Sequence, residues 1–128
     1  MNEILLLDTD VLIDFLRSRA EAISYLESLP EPPLISTVTV AELYAGIREG
    51  AERQSLENLV NKLKVILVTK EIAVRGGLFR RDYYKSHGTG IIDAIIAATA
   101  ETENATLVTL NNKHFPMLSN VFVPYRKS

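Results

Sequence analysis

The chain predicts an α/β fold built on a mainly parallel sheet, a three-layer α/β/α sandwich. The first observation is four short apolar runs, Ile4–Leu7, Leu34–Ser36, Val65–Val68 and Thr106–Thr109. Short continuous runs of this kind read as strands buried on both faces, as in a parallel sheet. The second is that segments with helical spacing separate them, so strands and helices alternate along the chain. The third is that polar residues follow the apolar runs, and in open parallel sheets the working residues lie just past the carboxyl ends of strands.

Each element has its own signal. Ile4-Leu5-Leu6-Leu7 stops at Asp8. Asp10 is placed to cap a helix over Val11–Arg17, with Val11, Leu12, Phe15 and Leu16 on one face. A second helix is expected over Glu21–Leu29, and Pro30, Pro32 and Pro33 end it. After the second strand, Thr39 opens a helix with Val40, Leu43, Tyr44 and Ile47 at helical spacing, closing near Gly50. Residues 52–63 form a polar amphipathic helix with Leu56, Leu59, Val60 and Leu63 on one side. A basic helix spans Ile72–Ser86, and His87-Gly88-Thr89-Gly90 is a turn. Ile91–Glu101 is a strongly apolar helix, and Val121-Phe122-Val123 is a candidate fifth strand. No repeat, low-complexity tract or linker interrupts the pattern, which predicts one domain over residues 1–128.

Composition narrows the chemistry. The 128 residues contain 47% hydrophobic and 23% charged residues, ordinary for a soluble domain with a real core. Cysteine is absent, which removes disulfide scaffolds, zinc ribbons, thiol nucleophiles and iron–sulfur clusters. The apolar runs are far too short to cross a bilayer, and Met-Asn-Glu-Ile is not the start of a secretory signal. A cytoplasmic location is expected. The formal net charge of −2 argues against nucleic-acid binding through a broad basic surface. Contact with nucleic acid would need a local basic patch or offsetting metal ions.

Carboxylates follow three separate elements. Asp8 and Asp10 follow the first strand, Glu42 lies past the second, and Asp93 opens the helix after the His-Gly-Thr-Gly turn. Hard oxygen donors converging on one sheet edge are what Mg²⁺ or Mn²⁺ requires. Each residue also has a structural reading. Asp8 could end a strand, although a charge directly after four buried residues needs a partner. Asp10 is explained as a helix cap. Thr39-Val40-Ala41-Glu42 fits a capping box. Asp93 suits the positive end of its helix dipole. His87 and His114 lack metal-ligand spacing and are expected at the surface. Arg80, Arg81 and Lys85 read as a solvated helix face or as a grip on a phosphate backbone.

Four segments together resemble the PIN-domain nucleases, and most closely the small VapC-type toxins of prokaryotic toxin–antitoxin pairs. Leu5-Leu6-Leu7-Asp8-Thr9-Asp10-Val11-Leu12-Ile13-Asp14 resembles the family's opening strand and first acid. Ile35-Ser36-Thr37-Val38-Thr39-Val40-Ala41-Glu42-Leu43 resembles its Ser-x-x-Thr-x-x-Glu-Leu segment. Gly90-Ile91-Ile92-Asp93-Ala94-Ile95-Ile96-Ala97-Ala98-Thr99-Ala100 resembles its third acidic segment, and Leu107-Val108-Thr109-Leu110-Asn111-Asn112-Lys113-His114-Phe115 its closing strand and loop. The resemblance implies a ribonuclease dependent on Mg²⁺ or Mn²⁺, with phosphodiester hydrolysis by a metal-activated water. It implies that Asp8, Glu42 and Asp93 hold the metal, that Thr9, Ser36, Thr109 and Asn111 support them or orient water, and that Arg80, Arg81 and Lys85 grip RNA. It also implies a homodimer neutralised by a VapB-type antitoxin. Two positions depart from the family pattern. Asn111 stands where many members carry Asp, and His114 where some do. Three carboxylates suit one Mg²⁺ better than two. Two rival readings are weaker. One is an aspartate-nucleophile phosphatase, disfavoured by Leu12. The other is a binding module with a weakened site, favoured by Asn111.

Overall fold

The computed structural model describes residues 3–126. Five strands form one sheet: β1 Leu5–Leu7, β2 Leu34–Ser36, β3 Lys64–Ile66, β4 Thr106–Val108 and β5 Val121–Phe122. All pairings are parallel, in the order β3-β2-β1-β4-β5. Six helices cover it: α1 Thr9–Leu16, α2 Ala20–Glu27, α3 Thr37–Ala45, α4 Ala51–Asn61, α5 Lys70–His87 and α6 Ile91–Thr102. The chain runs outward from β1 through β2 to β3. It then returns to the other side of β1 to lay down β4 and β5. That reversal leaves a crevice between β1 and β4 at the carboxyl edge of the sheet, where ligands of such folds bind.

The pleat sorts neighbouring residues into two cores. Leu6, Leu34 and Leu107 pack with Ile96, Ala97 and Ala100 of α6 and with Phe115. Their chain neighbours Leu7, Ile35 and Val108 face the other way, onto Val11 and Leu12 of α1, Leu43 of α3, and Leu56 and Leu59 of α4. The register aligns these rows, with Leu6 opposite both Leu34 and Leu107, and Leu7 opposite Val108. Slipping a strand by one residue would turn every apolar side chain to the wrong layer.

The expected elements all form, with shifted ends. Asp8, not Asp10, caps α1, because its Oδ1 accepts the Thr9 backbone N–H at 2.8 Å. Ser36, not Thr39, caps α3, its Oγ accepting from the Val38 N–H at 3.1 Å. In both places the helix starts directly off the strand, so the last strand residue or the one after it must supply the cap. The basic helix starts earlier than its apolar spacing suggests, because the Thr69 hydroxyl accepts from the Ile72 N–H at 3.2 Å. It ends at Gly88, whose φ of 69° favours glycine. The third strand ends at Ile66, and Leu67 is 69% exposed.

Helices α5 and α6 pack closely because Gly76 faces Ile95. A Cβ at position 76 would stand 3.0 Å from Ile95 Cγ1 and 3.1 Å from Ile95 Cα, whereas one at Gly77 would meet nothing within 4 Å. Adjacent glycines should therefore respond with opposite signs. Gly77→Ala should stabilise by up to about 1 kcal/mol through helix propensity. Gly76→Ala should destabilise by about 1 kcal/mol, since overpacking outweighs that gain. Urea midpoints of the two variants check this, and a stable Gly76→Ala variant would mean that α6 can move away freely. Ile95 lies two residues from Asp93, so this contact also helps to set the third acid.

Candidate active site

Asp8 stands at the reversal point. Its backbone N–H extends the β1–β4 ladder, donating to the Val108 carbonyl at 2.9 Å. Its carboxylate is buried, with Oδ1 on the Thr9 N–H and Oδ2 accepting from the Thr109 hydroxyl at 2.7 Å. Burial disfavours the charged form, the negative charge of Asp10 adds to this, and Asp93 contributes further. These effects outweigh the two hydrogen bonds, and the carboxyl is pushed up to about 7. The same carboxylate thus caps a helix and sits where burial and its acidic neighbours disfavour its charge.

Thr109 is the hinge between two acids. Its hydroxyl donates to Asp8 and accepts from the Asn111 N–H at 3.0 Å. Asp10 Oδ2 accepts from the Leu110 N–H at 3.0 Å and lies 3.4 Å from the Thr109 hydroxyl. Asp10 is therefore a tie between α1 and the chain leaving β4, not the cap its position suggests. Thr109 is fully buried, so it holds Asp8 directly. Ser36 is also fully buried and serves α3 as its cap; it does not line the cleft.

Glu42 does not close a capping box on Thr39. It is one turn into α3, exposed, and its Oε1 accepts from the Thr9 hydroxyl at 2.7 Å. The buried Thr39 hydroxyl sits 3.1 Å from that of Thr9. This chain of hydroxyls connects α3 to the start of α1 and holds Glu42 over the cleft.

Asp93 lies in the first turn of α6, where its Oδ2 accepts from the Gly90 N–H at 3.4 Å. His114 is not a solvated surface histidine. Its Nδ1 is 3.1 Å from Asp93 Oδ2 and 2.9 Å from Asn111 Nδ2. The fully buried Thr89 donates to the His114 carbonyl at 2.7 Å, and the buried Phe115 ring anchors the next residue. The sequence signal for His114 was its place directly before Phe115, not any metal-ligand spacing.

The residues meet in a cleft of about 450 Å³ lined by Asp8, Thr9, Asp10, Glu42, Asp93, Asn111 and His114, with Ile13, Ile91 and Ile92 as apolar walls. Among the described residues, no lysine or arginine lines it. Arg80, Arg81 and Lys85 lie along α5, outside this lining. The Arg80 guanidinium sits 4.0 Å over the Tyr84 ring, Arg81 pairs with Asp82 at 2.9 Å, and Lys85 is exposed. A further buried carboxylate has no signal in the sequence. Asp14, one turn beyond Asp10, accepts from the Tyr125 hydroxyl at 2.8 Å with Arg19 Nε 3.9 Å away. Burial and this bond raise the Tyr125 phenol above its usual value. The contact fastens the chain after β5 to α1.

A doubly wound parallel sheet with acids from three segments at its reversal point defines an acidic-cleft α/β protein. This chain belongs to the PIN-domain family, whose profile matches residues 5–119. It is 40% identical to Ribonuclease VapC10 of Mycobacterium tuberculosis, over 94% of this chain and 92% of that protein. It is 39% identical to Ribonuclease VapC19 of the same organism, over 94% and 98% of the two chains. Among solved structures it resembles a toxin–antitoxin complex from Klebsiella pneumoniae, with a TM-score of 0.83, 31% identity, and 96% and 99% of the chains covered.

The family implies a divalent ion, and the cleft fits one in charge and donor type. Its donors are hard carboxylate oxygens, and burial and the neighbouring acids disfavour the Asp8 charge that a cation would offset. Among the described residues, no three His, Asp or Glu side chains stand close enough to chelate an ion as they are. With Glu42 on Thr9, a bound ion would draw on waters as well as carboxylates, as Mg²⁺ usually does.

Proposed function

We propose that this protein is a divalent-metal-dependent ribonuclease, the toxin of a toxin–antitoxin pair. The observation that carries the reading is the cleft at the sheet reversal, where the carboxylates of Asp8, Glu42 and Asp93 come together from three separate segments of the chain. Asp93 would hold Mg²⁺ or Mn²⁺ directly, and Asp8 and Glu42 directly or through water. A bound divalent ion supplies a water of lowered pKa and neutralises charge on the phosphate under attack. Thr109 keeps Asp8 oriented and Thr9 keeps Glu42 over the cleft. Asn111 offers an amide oxygen without charge, which favours one ion over two. The Arg80, Arg81 and Lys85 face of α5 would grip the RNA backbone, the Arg80–Tyr84 stack adding a surface for a base.

The antitoxin reading rests on shape and charge. A groove of about 580 Å³ bordered by Ile13, Leu16, Leu43 and Ile47 joins the cleft at Ile13 and Glu42. A VapB-type segment lying there would carry a basic side chain into the acid cleft. Self-association would use α5, where Val74 and Leu78 are exposed one turn apart. Leu78→Lys should shift the sedimenting species from dimer to monomer. A variant that sediments as the wild type does would remove this face from the interface.

Glu42→Gln tests the catalytic reading. Gln keeps an oxygen for the Thr9 hydroxyl, so stability should change by less than about 1 kcal/mol. Cleavage of a labelled RNA in Mg²⁺ or Mn²⁺ should nevertheless fall by about a hundredfold, on the scale of losing one electrostatic contact to the transition state. Chelator should abolish cleavage by the wild type. Full activity in the folded variant would leave Glu42 a purely structural residue.

A further inference from the structure

His114 carries an inference that rests on this metal-dependent reading and goes beyond it. Its Nδ1 has two polar neighbours that make opposite demands. Asn111 Nδ2 at 2.9 Å is a donor and calls for a bare Nδ1 lone pair. Asp93 Oδ2 at 3.1 Å is an acceptor and calls for a proton on the same nitrogen. A neutral imidazole nitrogen cannot satisfy both. If Asn111 donates, Nδ1 and Asp93 Oδ2 face each other lone pair to lone pair. If the amide is turned over, an assignment that rests on the surrounding hydrogen bonds, a proton on Nδ1 serves both oxygens, and three potential ligand atoms converge on one position. A cation between His114 and Asp93 would remove the conflict in the first arrangement and take the proton's place in the second. The separation of 3.1 Å also matches adjacent ligands of one octahedral ion with bonds of about 2.1 Å, which lie about 3 Å apart.

The ring is also placed by its surroundings. Thr89 holds the His114 carbonyl, and Thr89 directly precedes Gly90, whose N–H reaches Asp93. The loop that positions the third acid therefore positions the histidine as well. His114 Nε2 lies against Gly88, 3.7 Å from where a Cβ would be. The backbone tie and the glycine restrict the ring on both sides.

We propose that His114 is a nitrogen ligand of the divalent ion beside Asp93, and that it biases the site toward Mn²⁺ over Mg²⁺. Imidazole nitrogen is a softer donor than carboxylate or water, and Mg²⁺ accepts it less readily than transition metals do. With Asp93 and His114 as direct ligands and Asp8 reached directly or through water, the site would be mixed, in contrast to an all-oxygen one.

The wild-type protein loaded with Mn²⁺ tests this directly. Electron spin-echo modulation should show ¹⁴N coupling, which His114→Ala should remove and His87→Gln should leave. Calorimetry should show Mn²⁺ affinity falling about tenfold in His114→Ala, with Mg²⁺ affinity changing less. His114→Asp should recover affinity for both ions without the nitrogen signal. Mn²⁺ binding with no nitrogen coupling in the wild type would overturn the proposal and leave the metal-dependent reading standing. Failure of the wild type to bind any divalent ion would overturn both.

Discussion

Asp8→Asn should lower metal-dependent RNA cleavage by about a thousandfold without unfolding the protein. The ion's contribution to the transition state is several kcal/mol, and about 4 kcal/mol corresponds to three powers of ten. Structural damage should be small because Asn is as good a helix cap as Asp. Its oxygen can keep the Thr9 N–H, now bonded at 2.8 Å. Its amide group would then face Thr109, whose hydroxyl can turn its proton toward Asp10 Oδ2, 3.4 Å away. Without metal, the variant should be at least as stable as the wild type at pH 8, because a buried charge has been removed. It should also gain less stability from Mn²⁺, since a ligand at a hundred times its Kd adds about 2.7 kcal/mol to a protein that binds it only when folded. Cleavage rates and melting curves with chelator and with Mn²⁺ measure all three effects. Wild-type cleavage by the variant would remove Asp8 from the site. A large loss of stability would mean that its capping role dominates.

The second large effect is an unusual dependence of stability on pH. The Asp8 carboxyl is raised from 3.8 to about 7 in the folded chain, chiefly by burial and then by Asp10. The folded state therefore binds this proton more tightly than the unfolded state does. Its contribution to stability is complete below pH about 4 and is lost as the pH rises through about 7. In chelator, stability should fall between pH 5 and pH 8 by on the order of 3 kcal/mol, about two pKa units at 1.36 kcal/mol each. For a chain of this length that is about 10 °C in melting temperature. Saturating Mn²⁺ should cancel the decline, because the ion binds the ionised carboxylate. Asp8→Asn should flatten the curve in chelator. A wild-type melting temperature that is constant or rises from pH 5 to pH 8 in chelator would show that Asp8 ionises without penalty.

Much of the candidate site is legible in the sequence. The sequence places Asp8 and Glu42 past strands and Asp93 at the start of the helix after the His-Gly-Thr-Gly turn, and all three line one cleft. The structure differs from the sequence expectation at local contacts. Asp10 reads as a cap because it precedes an apolar helix face, yet Asp8 is nearer the strand end and takes the Thr9 N–H. Glu42 fits a capping box by spacing, yet α3 starts two residues before Thr39 and leaves Glu42 to Thr9. His114 reads as surface because no second ligand lies near it in the sequence. Its partner, Asp93, is 21 residues away in the chain.

The sequence alone determined the alternation of strand and helix, the parallel sheet and the three acids, because these follow from local periodicity and from polarity at strand ends. The same residues also carried the family resemblance. Only the tertiary structure decided what each acid is bonded to. The strand order places β1 beside β4, which buries Asp8 and so raises it, sets Thr109 against it, and brings the charge of Asp93 near. Hydrogen bonds that span 33, 99 and 101 residues, from Thr9 to Glu42 and from Thr109 to Asp10 and Asp8, have no local pattern to announce them. Burial and charge coupling depend on which segments meet in space, and no window of the sequence contains that information.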